Sequence, residues 1–168
     1  MKTNIANLIN LVAEDERKLN ILSRGILNHI YTVTAKELDG KENIIEDYKE
    51  DFECEYSQYN EILNRIEKMK KVIYLKNNEL KLPDGSSIQD ALVEVGVLRK
   101  KVNLLNQLCE YKSSNRRITE VNNSYFECRT LNFDSKKLKE ELNEFENKIQ
   151  NIEFEISKLN SVEFEVEI

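Results

Sequence analysis

The residues able to do chemistry are few and far apart. His29 is the sole histidine, and Cys54, Cys109 and Cys128 are an odd number of thiols without CxxC spacing. A zinc site needs several such ligands at short spacing, so no metal and no cofactor are expected. Cys109 falls on an apolar stripe and reads as a structural thiol. Glu46, Glu50 and Glu53 set carboxylates at helical spacing with no imidazole beside them, which describes a solvated helix face. Asp84 precedes Gly85 in a turn, where its carboxylate accepts hydrogen bonds from the following residues and serves shape before reaction. Serine-nucleophile motifs, glycine-rich phosphate loops and HExxH pairs do not occur. The chain therefore reads as a non-enzyme.

Basic residues offer one further possibility. Lys68 lies as far before Pro83-Asp84 as Arg99 lies after it, so a reversal there would bring Lys68, Lys70 and Lys71 across from Arg99, Lys100 and Lys101 as a basic band, with Arg116 and Arg117 as a separate cluster. An anion site is one reading. Neutralisation by Glu140, Glu141, Glu144 or Glu146 is the favoured one, because ion-pair mosaics are ordinary on helical surfaces. The net charge of −6 and pI near 5.1 argue against nucleic acid, which rewards clustered positive charge through counterion release.

The elements that must position these residues are helices. One third of the residues are charged, with four glycines, one proline and no tryptophan, a composition suited to long rods with a thin apolar seam. Ile5, Leu8, Val12, Leu19, Leu22 and Ile26 recur at three and four, with Asp15 and His29 as polar entries on the same stripe. His29, near the end of that stripe, caps carbonyls or lines a subunit contact. Asp39-Gly40 marks a turn. A second stripe runs through Ile45, Tyr48, Phe52, Tyr59, Ile62, Ile66, Met69 and Ile73, broken by Glu55. The expected helices span about 3–28, 42–79, 87–113 and 135–160 of a single elongated domain, 1–168.

Between the second and third helices lies the most legible punctuation. Pro83 fixes its own backbone, Asp84 and Gly85 supply turn chemistry, and Ser87 with Asp90 has the form of a capping box. The reading is a long antiparallel helical hairpin or coiled-coil bundle about this turn. Leu98, Val102, Leu105, Leu142, Phe145, Ile149 and Ile152 form the expected self-association seam. Two stretches break the helical period. Tyr125 to Leu131 is expected as a strand, and Val162 to Ile168 alternates apolar and acidic residues, so the two are paired as a small antiparallel β element near 125–131 and 162–168.

Over about residues 62 to 165 the chain resembles the septicolysin-like proteins, a bacterial family of antiparallel coiled-coil proteins. The likeness rests on Asn77, Leu82-x-Asp84-Gly85, Asp90-Ala91-Leu92 and the apolar spacing from Leu138 to Ile156, ending at Leu159-Asn160. Val95-Gly96 and Ser161 depart from the family pattern. The resemblance implies a mainly α coiled-coil fold and, through the family name, a membrane-active haemolysin; it brings no catalytic residues.

The expectation is a mainly α, non-enzymatic, homo-oligomeric interaction protein. A further protein partner is open, and neither nucleic acid nor membrane is expected. A prefoldin-like chaperone, with helical arms joined to small β elements, is an alternative alongside the haemolysin-like one. With no signal-peptide apolar core after Met1 and no run approaching a membrane span, cytoplasmic residence is expected.

Overall fold

The structure, a computed structural model, describes residues 2–121 and 123–166. It is mainly helical, with four helices and small antiparallel strand pairs. The elements are β1 (Lys2–Thr3), α1 (Ile5–Asn28), β2 (Val33–Lys36), β3 (Glu42–Glu46) and α2 (Lys49–Glu79). There follow α3 (Ile88–Glu110), β4 (Ser114–Thr119), β5 (Ser124–Arg129), α4 (Ser135–Asn160) and β6 (Phe164–Glu165). Among the described residues no helix is long and apolar enough to cross a membrane.

Contacts divide the chain into two compact units where the composition suggested one domain: Met1–Glu79 with Asn160–Ile168, and Leu80–Leu159. Each contains a helix, a β-hairpin and a second helix in that order.

In the first unit α1 starts at Asn4, whose Oδ1 accepts the Asn7 N–H at 2.8 Å and satisfies one of the helix's unpaired first-turn donors. Leu8 and Val12 pack on Ile66 and Met69 of α2, with Leu19, Ile62 and Phe164 against them. Asp15 binding Arg65 and His29 binding Glu55 show α1 and α2 running antiparallel. α2 is 31 residues, about 46 Å of helix. β1 and β6 pair Thr3 with Phe164, so the chain's two ends share one short ladder.

In the second unit Val95, Leu98 and Val102 of α3 pack on Ile149 of α4, joined by Leu142, Phe145 and Ile152. Glu94 to Lys148 and Lys101 to Glu141 flank that seam at 2.6 and 2.7 Å. The helix pairing within each unit is therefore made across a β-hairpin, while Asp84-Gly85 belongs to the link from α2 to α3.

Both strand expectations need a new partner. Residues 124–129 pair with Ser114–Thr119, running from Ser114↔Arg129 to Thr119↔Ser124, and the 164–165 strand pairs with Lys2–Thr3. Neither β1 nor β4 shows alternating apolarity; β4 reads Ser-Asn-Arg-Arg-Ile-Thr, so its pairing rests on the ladder and on β5. Glu167 and Ile168 of the expected last strand lie outside the described residues. The second helix starts at Lys49 and not near 42, because Glu42–Glu46 is held by Val33–Lys36. The third stops at Glu110, three residues before the expected end, and Tyr111 to Ser113 lead into β4.

Candidate interaction surface

The turn residues singled out in the sequence form a closed local network. Asp84 Oδ1 accepts from the Ser86 N–H at 2.9 Å and from its hydroxyl at 2.6 Å. Gly85 takes φ +86, a left-handed conformation that disfavours a side chain, and its N–H donates to the Leu82 carbonyl at 2.9 Å. Ser87 Oγ accepts the Asp90 N–H at 3.1 Å while Asp90 Oδ2 accepts the Ser87 N–H at 3.1 Å, a reciprocal box that starts α3. The Ser86 hydroxyl and N–H hold Asp84 below the usual carboxylate range, and those of Ser87 do the same for Asp90. Pro83 is exposed beside them. Among the described residues, the hydrogen-bond partners of these carboxylates are turn and cap donors.

The basic triplets are spread over several ion pairs. Lys70 binds Glu16 of α1 and Lys71 binds Glu67, both at 2.6 Å. Arg99 binds Glu153, and Lys101 binds Glu141. The Lys71 ammonium holds Glu67 below its ordinary value. Leu98, Val102 and Ile149 sit in one cluster within the chain with Leu142, Phe145 and Ile152, and Leu105 is buried. Cys54 and Cys128 are exposed free thiols; Cys109 is half-buried.

The polar entries of the first stripe both find partners on α2. Asp15, only 4% exposed, receives Arg65 Nε and Nη2 at 2.6 Å each, a bidentate fork that keeps the guanidinium more basic than usual. His29 Nδ1 lies 3.1 Å from Glu55 Oε2, and its ring stacks on Tyr48 at 5.0 Å. The Glu55 carboxylate crosses α1 at Gly25, where a Cβ would meet Oε1 at 2.6 Å. His29, Glu55 and Tyr48 thus fasten the base of the β2–β3 hairpin to both helices. Asp15, His29 and Glu55 were visible in the sequence as polar entries in a stripe; that Asp15 meets Arg65 and His29 meets Glu55 was not. Elsewhere, Asn77 Oδ1 and Asn160 Oδ1 are buried without a hydrogen-bond partner among the described residues.

The two β-hairpins are the most open parts of the units. In β2–β3, Gly40 turns at φ +87, the Glu37 N–H donates to the Lys41 carbonyl at 2.8 Å, and Asp39 accepts the Lys41 N–H at 3.0 Å. That N–H, together with the Lys41 side chain, holds Asp39 below its ordinary value. In β4–β5, the Glu120 N–H donates to the Asn123 carbonyl at 2.7 Å. Among the described residues each is a two-stranded sheet with no third strand. Leu38 and Val121 are fully exposed at the tips, and Ile44 and Phe126 are 64% and 67% exposed. Isolated two-stranded hairpins are marginal in water and their edges offer unpaired backbone groups, so these segments are suited to contact with something else. The signal for β2–β3 was a β-branched run on each side of Asp39-Gly40; Ile44-Ile45 instead read as the start of a helical stripe.

The sequence pattern of a family of unknown function, DUF6847, matches residues 45–162, well over half of the chain. The chain belongs to that family. No curated protein matches this DUF6847 member. It is similar in structure to a functionally unknown conserved protein from Corynebacterium diphtheriae, with a TM-score of 0.66 at 17% identity, covering 98% of this chain and all of the other. At that identity the likeness concerns the fold alone.

Proposed function

We propose that the protein is a non-enzymatic interaction protein that works as a homo-oligomer. The observation that carries this reading is the pair of β-hairpins whose apolar residues, Leu38, Ile44, Val121 and Phe126 among them, are largely exposed. Exposed apolar surface on adhesive strand edges is costly unless a partner covers it. The seam residues Leu98, Val102 and Ile149 are occupied within the chain, which moves the contact between copies to the hairpins. Coiled-coil packing of each helix pair is the finer geometry that goes with this proposal. Sedimentation velocity at tens of micromolar tests it: an assembly larger than one chain supports the reading, and a sharp monomer boundary removes it.

A chaperone resembling prefoldin is the second reading, favoured by the helix, β-hairpin, helix order of both units. It predicts suppression of aggregation of an unfolded client at stoichiometric ratio. The haemolysin implied by the septicolysin-like resemblance predicts leakage of dye from vesicles.

A further inference from the structure

α2 is apolar on two sides. One side, with Ile66, Met69 and Ile73, packs in the cluster shared with α1. The other carries Leu63, Tyr74 and Leu75, which are 41%, 62% and 57% exposed. A groove of about 940 Å³ runs along this second side, and its lining includes Leu63, Asn64, Glu67, Lys71, Tyr74 and Leu75. Leu63, Glu67, Lys71 and Leu75 follow one another at intervals of four, so they form one row on the helix surface.

The charges on this face are balanced within the chain. Lys71 binds Glu67 and Lys70 binds Glu16 of α1, both at 2.6 Å, so covering the face buries paired charges. The row is also self-complementary from either end. About Met69, Leu63 stands six residues before and Leu75 six after, Asn64 five before and Tyr74 five after, Glu67 two before and Lys71 two after. A second α2 laid antiparallel therefore sets Leu63 on the partner's Leu75, Asn64 beside the hydroxyl of the partner's Tyr74, and Glu67 beside the partner's Lys71. The Glu67–Lys71 pair within each helix persists, because a carboxylate accepts from more than one donor and an ammonium has three N–H groups. The result is four charges of alternating sign flanked by leucines. A parallel pair would set Glu67 on the partner's Glu67, which like charge disfavours.

We propose that this face of α2 is a two-fold contact between copies of the chain, made antiparallel about the level of Met69. The inference rests on the homo-oligomer reading above and adds to it a contact that involves neither hairpin.

Sedimentation of the full chain, of Glu67→Lys, of Lys71→Glu and of their equimolar mixture tests it. Wild type associates. Either reversal alone sets like charges together and weakens association at least tenfold, and the mixture recovers an assembly because lysines at 67 and 71 of one chain meet glutamates at 71 and 67 of the other. Loss of the pair within the helix would not be repaired by mixing. A monomeric wild type overturns the homo-oligomer reading and this inference with it. Association that neither reversal weakens, or a mixture that stays dissociated, overturns the α2 contact alone.

Disulfide formation reads the orientation, with Cys54, Cys109 and Cys128 replaced by Ser, and decides the matter should a reversal unfold the helix. Leu63→Cys mixed with Leu75→Cys gives a cross-linked dimer, and neither does so alone. No cross-link in the mixture, or Leu63→Cys linking to itself, would overturn the antiparallel contact. Binding to phosphatidylcholine vesicles that Leu63→Ser abolishes, with self-association unchanged, would put a lipid surface on this face and overturn the proposal.

Discussion

α1 and α2 meet along a seam that admits charge, whereas α3 and α4 keep their charges on its flanks. In the first pair Asp15 lies inside the interface under Arg65, and His29 and Glu55 meet over Gly25. In the second the contacts from Val95 to Val102 are apolar, and Glu94, Arg99 and Lys101 find their partners at the exposed edge. The difference concerns specificity. An aliphatic seam tolerates a slip of one heptad with modest loss, but a slipped α1 would take the buried Asp15 carboxylate off the Arg65 fork and leave it only the longer contact to Lys18 of its own helix, at 3.8 Å. Polar entries in a stripe therefore act as register marks for the pair that holds both chain ends.

Core truncation gives the largest effects and tests whether the two seams are equally tight. Leu8→Ala, at a fully buried position, should cost about 3–4 kcal/mol, and Leu98→Ala, at the edge of exposure, about 2–3 kcal/mol by urea unfolding. Equal losses would mean that burial does not distinguish the pairs.

The charged contacts should separate more sharply. Arg65→Met keeps the apolar stem and leaves buried Asp15 only Lys18 at 3.8 Å; with the guanidinium half exposed, the cost is about 2–3 kcal/mol. Arg99→Met, which breaks the solvent-exposed pair with Glu153, should cost under about 0.5 kcal/mol. A similar loss in both variants would sink the comparison.

Two helix glycines sharpen it further. Gly96 has open space where a Cβ would stand, so Gly96→Ala should stabilise α3 by about 0.5–1 kcal/mol through helix propensity. At Gly25 the new methyl meets the Glu55 carboxylate, which must swing off His29, so Gly25→Ala should gain less or lose outright. Thermal melts of the two variants compare them directly.

The smallest effect concerns acid. Asp84 and Asp90 have folded values below their unfolded ones, so what they add is fully present above the unfolded value, about pH 4, and is lost as pH falls through the lowered folded values. Between pH 5 and 2, the protection of the Ser86 and Ser87 amides relative to their intrinsic exchange at each pH should fall in wild type, and that of Ser86 should change less in Asp84→Asn. Protection that does not depend on pH would contradict the assigned hydrogen bonds.

Much of this was legible in residue spacing, and the rest was not for definite reasons. Leu138 to Ile156 recur at helical period, and α4 runs where that period places it. Ser87 and Asp90 are three residues apart, and a local cap needs no distant partner. Ile44-Ile45 satisfied a helical stripe as well as a strand, and only pairing with Val33–Lys36 decides between them. Arg116 and Arg117 read as a basic cluster because nothing in Ser114–Thr119 alternates apolar with polar.

The amino-acid sequence by itself determined the four helices, the turn at Asp84-Gly85 and the apolar stripes, because each is set by interactions within about one or two helical turns of a residue. Only the tertiary structure decided that Asp15 meets Arg65, that Glu55 crosses α1 at Gly25, that β5 pairs with β4 and that the chain's ends join as β1 and β6. Those choices are non-local: several cations could answer Asp15 and several strands could pair with β5, and the choice among them is made by the packing of whole elements.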